Sequence, residues 1–160
     1  MTINESRLHN GTLTLGPTGT GQIDMSCQLT NVVITSAYSD DGNPVTTLCG
    51  DQKPAPRKLD GRKLEGTFVQ DFDLAEADGG ITDYLWNHDL EAVAFTFTPD
   101  ETPLVLAGTV TIEVPASTYG GDVNTRLTSD FSWNIEGDPT RTYTAGLEAS
   151  EAREPVGASA

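Results

Sequence analysis

The stretch GTVTIEVPASTYGGDVNTRLTSDFSWNIEGDP, residues 108–139, decides which kind of fold this chain can adopt. Its two limbs carry apolar residues that share one parity within each limb: Val110, Ile112, Val114, then Val123, Leu127, Phe131, Trp133 and Ile135. The residues of opposite parity are polar, which is typical of β-strands with one apolar and one polar face. Because Gly120, Gly121 and Asp122 supply turn residues between the limbs, the sequence predicts an antiparallel pair.

Similar alternation recurs along the rest of the chain. Leu13 and Leu15 begin a predicted hairpin, whose second strand carries a set of apolar residues of one parity: Ile23, Met25, Cys27 and Leu29. Further strands are predicted over three ranges: 32–38, 67–74 and 93–98. The segment GITDYLWNHD (80–89) predicts a helix, because Ile81 and Leu85 are four residues apart and Asp78 or Thr82 can cap its start.

About eight or nine strands, one flanking α-helix and one long loop predict an all-β fold, either a β-sandwich or a flattened barrel. Residues 1–146 are expected to form a single domain. Residues 147–160 are small, polar and acidic, and we expect a flexible C-terminal tail.

The chain is strongly acidic, with 24 acidic and 9 basic side chains and a formal net charge of −15. Such a charge disfavours binding to nucleic acid and to anionic membranes. No apolar run approaches the ~20 residues of a membrane span, and no signal-peptide pattern is present, so synthesis and folding are expected in the cytoplasm. A disulfide between Cys27 and Cys49 stays open, but buried reduced thiols fit that compartment better.

The segment CGDQKPAPRKLDGRKLEG (49–66) has no hydrophobic period and is predicted to be a long loop. It contains five of the nine basic residues: Lys53, Arg57, Lys58, Arg62 and Lys63. Residues 53–63 carry a net +4, so the remaining 149 residues carry −15 − 4 = −19. The segment is either a solvated loop or a basic arm that docks on the acidic body of another copy.

No catalytic, metal-binding or cofactor motif is found. His9 and His88 stand outside any metal-ligand spacing, and structural roles fit them better. The sequence contains no nucleophile elbow, P-loop or dinucleotide-binding motif, so it does not indicate an enzyme. Six aromatic residues have strand parity and are predicted to lie in the core, not on a stacking surface: Phe68, Phe72, Phe95, Phe97, Phe131 and Trp133.

The succession of these elements resembles the major tail tube protein of long-tailed (siphovirus-type) bacteriophages, especially those of actinobacterial hosts. The matching stretches cover about residues 30 to 142: GTFVQDFDL, GITDYLWNHD, EAVAFTFTPD and GTVTIEV…YGGDVNTRLTSDFSWNIEGDPT. The resemblance implies a structural virion protein without catalytic residues or cofactors, whose hexameric rings stack into a tube. Strands of six subunits would surround a DNA channel, and the long loop would reach the neighbouring ring. Tape measure, tail terminator and tip proteins are the implied partners.

Two sets of residues follow as site predictions. The five basic residues named above are expected to make ring-to-ring contacts. Asp71, Glu113 and Asp130 are expected to face the lumen and repel the passing DNA, and the alternative places them on the outer tube surface. Two other functions stay open: an immunoglobulin-like or carbohydrate-binding module displayed on a virion or cell surface, and a small barrel enzyme or lipocalin-like carrier.

Overall fold

A computed structural model describes residues 6–17, 19, 21–50, 52–100 and 103–143, with the backbone alone at residues 52 and 53. The predicted tail, 147–160, lies outside the described residues. Ten strands are present within the described ranges: β1 Thr12–Leu15, β2 Ile23–Asp24, β3 Leu29–Asp40, β4 Val45–Thr46, β5 Gln52–Lys53, β6 Arg57–Val69, β7 Ala92–Thr98, β8 Leu104–Thr111, β9 Thr128–Ile135 and β10 Thr140–Tyr143. Helix α1 spans Ile81–Asn87 after a short 3₁₀ turn at Glu76–Asp78.

Eight strands form one antiparallel sheet, which confirms the predicted all-β class with a flanking helix. The sheet order is β2-β1-β7-β8-β9-β6-β3, with β10 also paired to β8. Strand β3, at one edge, and β1, next to the opposite edge, line one cavity, so the sheet is curled. Strands β4 and β5 form a separate two-stranded sheet.

The core lies on one face of this curled sheet, as the alternation in residues 108–139 predicts. Along β9 exposed and buried residues alternate from Thr128 to Ile135, and Trp133 pairs in register with Leu64 of β6. Trp133 is fully buried, and its ring stacks on Phe131 with the centroids 4.2 Å apart. The sheet therefore closes around one aromatic and aliphatic cluster.

Helix α1 covers the open side of this core. Ile81, Tyr84 and Leu85 are buried in the same cluster as the sheet residues. The helix is capped from a distance by Asp71, whose carboxylate accepts hydrogen bonds from the backbone N–H groups of Ile81 and Thr82, both at 2.9 Å. The predicted cap, Asp78 or Thr82, is therefore wrong, because a carboxylate ten residues upstream supplies the acceptor.

Glycine is required at position 80, where the chain enters α1. A Cβ atom built on Gly80 would lie 2.2 Å from the carbonyl oxygen of Leu74. That distance is far shorter than van der Waals contact. The carbonyl belongs to the backbone and cannot move aside as a side chain could, so no side chain fits at position 80. The tight entry brings the segment that follows β6 against the start of the helix.

The predicted loop over 49–66 is wrong for most of its length. Residues 57–66 belong to β6, a 13-residue strand paired with the 12-residue β3. A register shift separates the pairs Ala37↔Gly61 and Tyr38↔Leu59, so Asp60 is an extra residue that breaks the period of two. The distal part of β6 buries neither face, so its sequence carries no alternation of apolar and polar residues.

Three smaller predictions also differ from the structure. The limbs of residues 108–139 do pair, but only over Val110↔Ile135 and Thr111↔Asn134, because β9 has β6 as its main partner. The second limb becomes a strand only at Thr128. The two cysteines are free, which agrees with the reduced thiols that the sequence favoured, but both are exposed and not buried. Cys27 is exposed because β2 ends at Asp24 and the chain then turns away from the core.

Candidate interaction surfaces

The hairpin of β3 and β6 extends beyond the rest of the sheet. Strand β9 pairs with β6 only from Arg62 to Val69, so residues 37–61 have no third strand beside them within the described chain. We call residues 37–61 the distal arm. The backbone N–H of Asp41 continues the ladder by donating to the carbonyl of Pro56 at 2.6 Å, and β4 with β5 extends it to the apex. A two-stranded ribbon of this kind is marginally stable in water.

The five predicted contact residues do not form one cluster. Arg57 lies on the distal arm, 3.7 Å from the carboxylate of Asp40 and with its guanidinium 6.0 Å from the Tyr38 ring centroid. Lys58 is exposed beside it, and Lys53 is in β5 with its backbone alone described.

The other two predicted contact residues lie on the body. Arg62 forms an ion pair with Asp138. Lys63 is exposed on the polar face of the sheet, between Thr35 and Asn134. The structure therefore places Arg57 and Lys58 on the distal arm and separates them from Arg62 and Lys63 on the body.

Apolar side chains are exposed along the distal arm as well. The group comprises Tyr38, Val45, Leu48 and Leu59, of which Leu48 is fully exposed. Cys49 lies next to Leu48 at the apex and is also exposed. An isolated ribbon thus presents apolar groups to the solvent together with charges of both signs, since Asp40, Asp41 and Asp60 are exposed beside Arg57 and Lys58.

The predicted lumen residues are on different parts of the molecule. Asp130 lies on the polar face of the sheet, where its carboxylate accepts a hydrogen bond from the Thr67 hydroxyl at 2.6 Å. Glu113 is exposed beyond the end of β8, and its carbonyl accepts the Trp133 indole N–H at 2.9 Å. Asp71 is half-buried in the helix cap. The three carboxylates therefore do not lie on one face, because Asp71 is on the side of the sheet that α1 covers. Their placement in a lumen stays a prediction.

Other side chains of the polar sheet face are mostly neutral. Glu65, in the middle of β6, accepts hydrogen bonds from Thr35 of β3 at 3.0 Å and from Ser132 of β9 at 2.9 Å. Glu65 and Asp130 are therefore held by hydroxyl groups of neighbouring strands. The face presents hydroxyl and amide groups with a few fixed charges.

Three aromatic side chains form an exposed cluster that sequence reasoning missed. Phe72, Trp86 and Tyr119 are 53%, 57% and 51% exposed. The Tyr119 ring centroid is 5.7 Å from that of Phe72 and 5.7 Å from that of Trp86. We call these three residues the aromatic patch. Placing Phe72 in the core was wrong, because β6 ends at Val69 and the chain leaves the sheet before Phe72.

Two residues of this patch carry a partial signal in the sequence, since Tyr119 lies in the predicted loop between the two limbs and Trp86 lies beside the Ile81 and Leu85 positions of the predicted helix. In α1 the buried positions are Ile81, Thr82, Tyr84 and Leu85, which leaves Trp86 on the outward face of the helix. Phe72 and Tyr119 are 47 residues apart, and only the fold brings them together.

Carboxylates surround the aromatic patch. Burial, together with the nearby charges of Asp83 and Asp71, raises the pKa of the Tyr119 hydroxyl. Asp83 also accepts a hydrogen bond from the backbone N–H of Glu76 at 2.8 Å, so its carboxylate is fixed in place. The patch is therefore apolar at its centre and negative at its rim.

Gln70 fixes the loop that carries Tyr119. Its amide nitrogen donates to the carbonyl oxygens of Ser117, Gly120 and Thr128 at 3.1–3.2 Å. Its amide oxygen accepts the backbone N–H of Gly120 at 2.9 Å. One side chain just beyond β6 thereby ties both ends of the Ser117–Gly120 turn to the start of β9.

His88 links the end of α1 to the 3₁₀ turn. Its Nδ1 lies 2.6 Å from a carboxylate oxygen of Glu91, and its Nε2 lies 2.8 Å from one of Glu76. The hydrogen bond to Glu91, opposed by partial burial and aided by Glu76, raises the pKa of His88. The hydrogen bonds from His88 and Asn87 lower the pKa of Glu76. The histidine has a structural role.

Within the described ranges, no group of three or more His, Cys, Asp or Glu side chains is arranged to hold a metal ion. No helix in this part of the chain is both long enough and apolar enough to cross a membrane.

Comparison with known proteins gives structural likeness without sequence likeness. No protein-family model and no curated protein matches the chain. Its fold is similar to that of a chain in the tail of an empty gene transfer agent particle, refined helically with C6 symmetry. The TM-score is 0.52 at 18% identity, covering 82% of this chain and 94% of that chain. A chain from the virion of the native gene transfer agent aligns at a TM-score of 0.49, 15% identity and coverages of 81% and 95%.

Proposed function

We propose that this chain is a structural virion protein of a phage-like tail. Its copies assemble as hexameric rings that stack into a tube, and genomic DNA is ejected through the channel of that tube. Support comes from the fold shared with a chain of a C6-symmetric tail over 82% of the residues, and from the succession of sequence elements described above. The role is structural and requires no cofactor.

The observation that carries this proposal is the unpaired length of β3. Within the described chain β3 pairs only with β6, so the opposite edge of a 12-residue strand offers its backbone groups to a partner. Free edges of this length promote uncontrolled association unless a specific neighbour covers them. Identical copies joined edge to edge satisfy those groups and close a ring.

The polar sheet face suits the wall of a DNA channel. Basic side chains bind DNA because they displace the cations that surround its phosphates. The hydroxyl groups of this face and the carboxylates of Asp130 and Glu65 displace none, so DNA would pass without being held. Lys63 is the exception on this face. In this proposal Asp130 keeps its predicted place in the lumen, whereas Asp71 serves the helix cap.

The wider setting belongs to the same proposal. Assembly takes place in the host cytoplasm, and the mature protein is located in the virion tail. The tape measure, tail terminator and tip proteins are the further partners in this proposal, as the resemblance implies.

Electron microscopy of the concentrated, purified chain tests the proposal. Stacked rings or tubes with sixfold end views are expected, and light scattering should show assembly above a critical concentration. A monodisperse monomer at every concentration and salt tested would overturn it.

Labelling of assembled tubes locates the polar face. In a background with Cys27→Ser and Cys49→Ser, Asp130→Cys should react with a small maleimide and resist a maleimide attached to a polymer wider than the channel. Equal reaction with both reagents would place Asp130 on the outer surface.

A second candidate, a carbohydrate-binding module, is favoured by the aromatic patch alone. Exposed rings can stack on sugars, but flat stacking needs rings with parallel faces, and here Trp86 and Tyr119 are inclined by 61°. Binding on a glycan array that is abolished by Trp86→Ala would favour this candidate, if the same protein forms no rings.

A further inference from the structure

The three rings of the aromatic patch take no part in the core. Phe72, Trp86 and Tyr119 contact one another but lie outside the buried cluster, and each exposes about half of its surface. Single exposed aromatic residues need no explanation, whereas a cluster of them marks an interaction surface. Aromatic side chains are enriched at the centres of protein–protein interfaces.

The patch is fixed in place before any partner binds. Gln70 holds the turn that carries Tyr119 by accepting a backbone N–H of that turn at 2.9 Å. Asp71 caps α1, which carries Trp86, by accepting two backbone N–H groups of its first turn. Two separate hydrogen-bonded supports therefore position the rings, so binding loses little free energy to ordering them.

Carboxylates give the patch a negative rim. Asp73 is exposed, adjoins the first ring in sequence and makes no ion pair with any described residue. Asp83 lies three residues before Trp86 in α1, a spacing that places both on one side of a helix. Burial, and after it the charges of Asp83 and Asp71, raises the pKa of the Tyr119 hydroxyl, so these carboxylates act on the rings directly.

Rings and carboxylates together recognise cations. The face of an aromatic ring attracts an ammonium or guanidinium group, and a carboxylate nearby adds an ion pair. The rings of Phe72 and Trp86 are inclined to that of Tyr119 by 36° and 61°, so the patch offers no single flat face. Flexible side chains of a peptide fit such a surface, with apolar groups on the rings and cations towards the rim. The patch therefore selects a segment that is both basic and apolar.

A second copy of this chain does not offer such a segment. The chain carries a net charge of −15, and its distal arm has four acidic and three basic side chains. On the arm Arg57 already lies 3.7 Å from the carboxylate of Asp40. Residues 1–11 carry one acidic and one basic side chain, and residues 144–160 carry three acidic and one basic. The partner that fits is therefore a different protein with an excess of cations.

We propose that the aromatic patch is the docking site for a basic and apolar segment of a different protein, whose cations face Asp73 and Asp83 and whose apolar side chains cover the rings. This docking goes beyond the proposed tube, because it needs only a single folded copy of the chain. Two other occupants, a sugar and a second copy of this chain, predict different results in the experiments that follow.

An array of random-sequence peptides tests the chemistry of the partner. The chain, labelled on Cys49 in a Cys27→Ser background, is applied as a monomer, at a concentration at which it does not assemble. Peptides that bind should be enriched in lysine, arginine and large apolar residues. Trp86→Ser should lower binding to them about tenfold or more, as truncation of a central interface aromatic does. The matched control Tyr143→Ser truncates an aromatic of similar exposure on β10 and should bind as the parent does.

The strongest of these peptides then measures the contribution of the rim. Trp86 is exposed and Trp133 is fully buried, so a change in tryptophan fluorescence on titration reports the patch. Asp83→Asn keeps an oxygen for the backbone N–H of Glu76 and should raise the Kd roughly threefold. Asp41→Asn removes the same charge from an exposed site on the distal arm and should leave the Kd unchanged. Circular dichroism and the melting temperature of every variant should match those of the parent.

Several results would overturn the docking. The absence of any bound peptide, or a preference for acidic peptides, would do so. Equal weakening by Asp83→Asn and Asp41→Asn would also do so, because it would show attraction to the acidic chain as a whole. Sugar binding that Trp86→Ser abolishes, without peptide binding, would make a sugar the occupant instead.

The state of assembly separates this inference from the proposed function. If Trp86→Ser raises the critical concentration for assembly and the parent binds no peptide, the occupant is a second copy, which overturns the docking and leaves the tube standing. Peptide binding that depends on Trp86, by a chain that forms no tubes, would support the docking and overturn the proposed function.

Discussion

The two halves of β6 are one continuous strand in very different surroundings. From Arg62 to Val69 it lies between β3 and β9, and its residues alternate between the core and the polar face. From Arg57 to Gly61 it has β3 as its one described neighbour, and most of its side chains are exposed. The body half is held by burial, whereas the arm half is held by backbone pairing and by exposed side-chain contacts such as those of Arg57 with Asp40 and Tyr38.

Under the proposed function, this difference separates the part of the hairpin that stabilises the fold from the part that would contact other copies. A change in the body half should alter folding, and a change in the arm should alter how copies meet. The four predictions below test that separation, in order of decreasing effect on the free energy of unfolding.

The largest effect is expected in the body. Trp133→Ala should lower the free energy of unfolding by about 3–5 kcal/mol, because it empties a fully buried site and removes the indole hydrogen bond to Glu113. Leu59→Ala, on the arm, should cost below about 1 kcal/mol, since Leu59 is exposed. Urea denaturation of the two monomers measures both values. Similar losses in the two variants would contradict the separation.

A smaller loss is expected where the body half ends. Gln70→Ala removes an amide that bonds to four backbone groups, and leaving them without partners should cost about 1–3 kcal/mol. The control Gln22→Ala removes an exposed amide with one bond to Thr14 and should change the free energy of unfolding by less than about 0.5 kcal/mol. Faster amide exchange at Gly120 in Gln70→Ala should accompany the loss, and unchanged exchange there would refute it.

The contacts of His88 should contribute less than about 1 kcal/mol, because they are partly exposed. Because the pKa of His88 is raised in the folded protein, its contacts stabilise the fold fully below pH 6.5, the ordinary pKa. This stabilisation is lost as the pH rises through the pKa of the folded protein. Because the pKa of Glu76 is lowered in the folded protein, its contacts stabilise the fold fully above pH 4.5. This stabilisation is lost as the pH falls through the pKa of the folded protein. The stability difference between the parent and His88→Gln should therefore be largest near pH 5–6.

Urea titrations from pH 4 to pH 9 would measure that difference. His9→Gln is the control for the loss of an imidazole elsewhere in the chain. A difference for His88→Gln that grows steadily towards pH 9 would contradict the assignment of these contacts.

The smallest effect on unfolding is expected for charge reversal on the arm. Arg57→Glu with Lys58→Glu should leave the free energy of unfolding within about 0.5 kcal/mol, because both side chains are exposed. Assembly should be lost, since the reversed charges meet an acidic body. The matched control Arg126→Glu, an exposed arginine outside the arm, should assemble at nearly the parent concentration. Normal tubes from the double variant would show that the arm makes no charged contact.

The sequence predicted those parts of the fold in which burial leaves a pattern. The alternation in β9 was readable because Phe131, Trp133 and Ile135 face a core while the residues between them face water. The arm was taken for a loop because both of its faces are exposed and Asp60 interrupts the period.

The interaction surfaces were predictable only in part. The basic residues stood out by charge, but only the register shows that Arg57 and Lys58 are on the arm while Arg62 and Lys63 are on the body. The aromatic patch joins positions 72, 86 and 119, and no local pattern connects them. The cap of α1 by Asp71 likewise depends on a tight turn at Gly80 that is visible only in the folded chain.

The extra residue at Asp60 has a consequence for the shape of the assembly. Strand β3 is regular opposite it, so deletion of Asp60 would keep every pair on both sides and every side chain on its present face. What the deletion removes is the bend and the added twist that a bulge gives a strand. In the proposed tube, the angle at which each copy meets the next would therefore depend on this one exposed residue. Loss of its single codon would then change the helical pitch of the tube while leaving the strand pairing of the subunit intact.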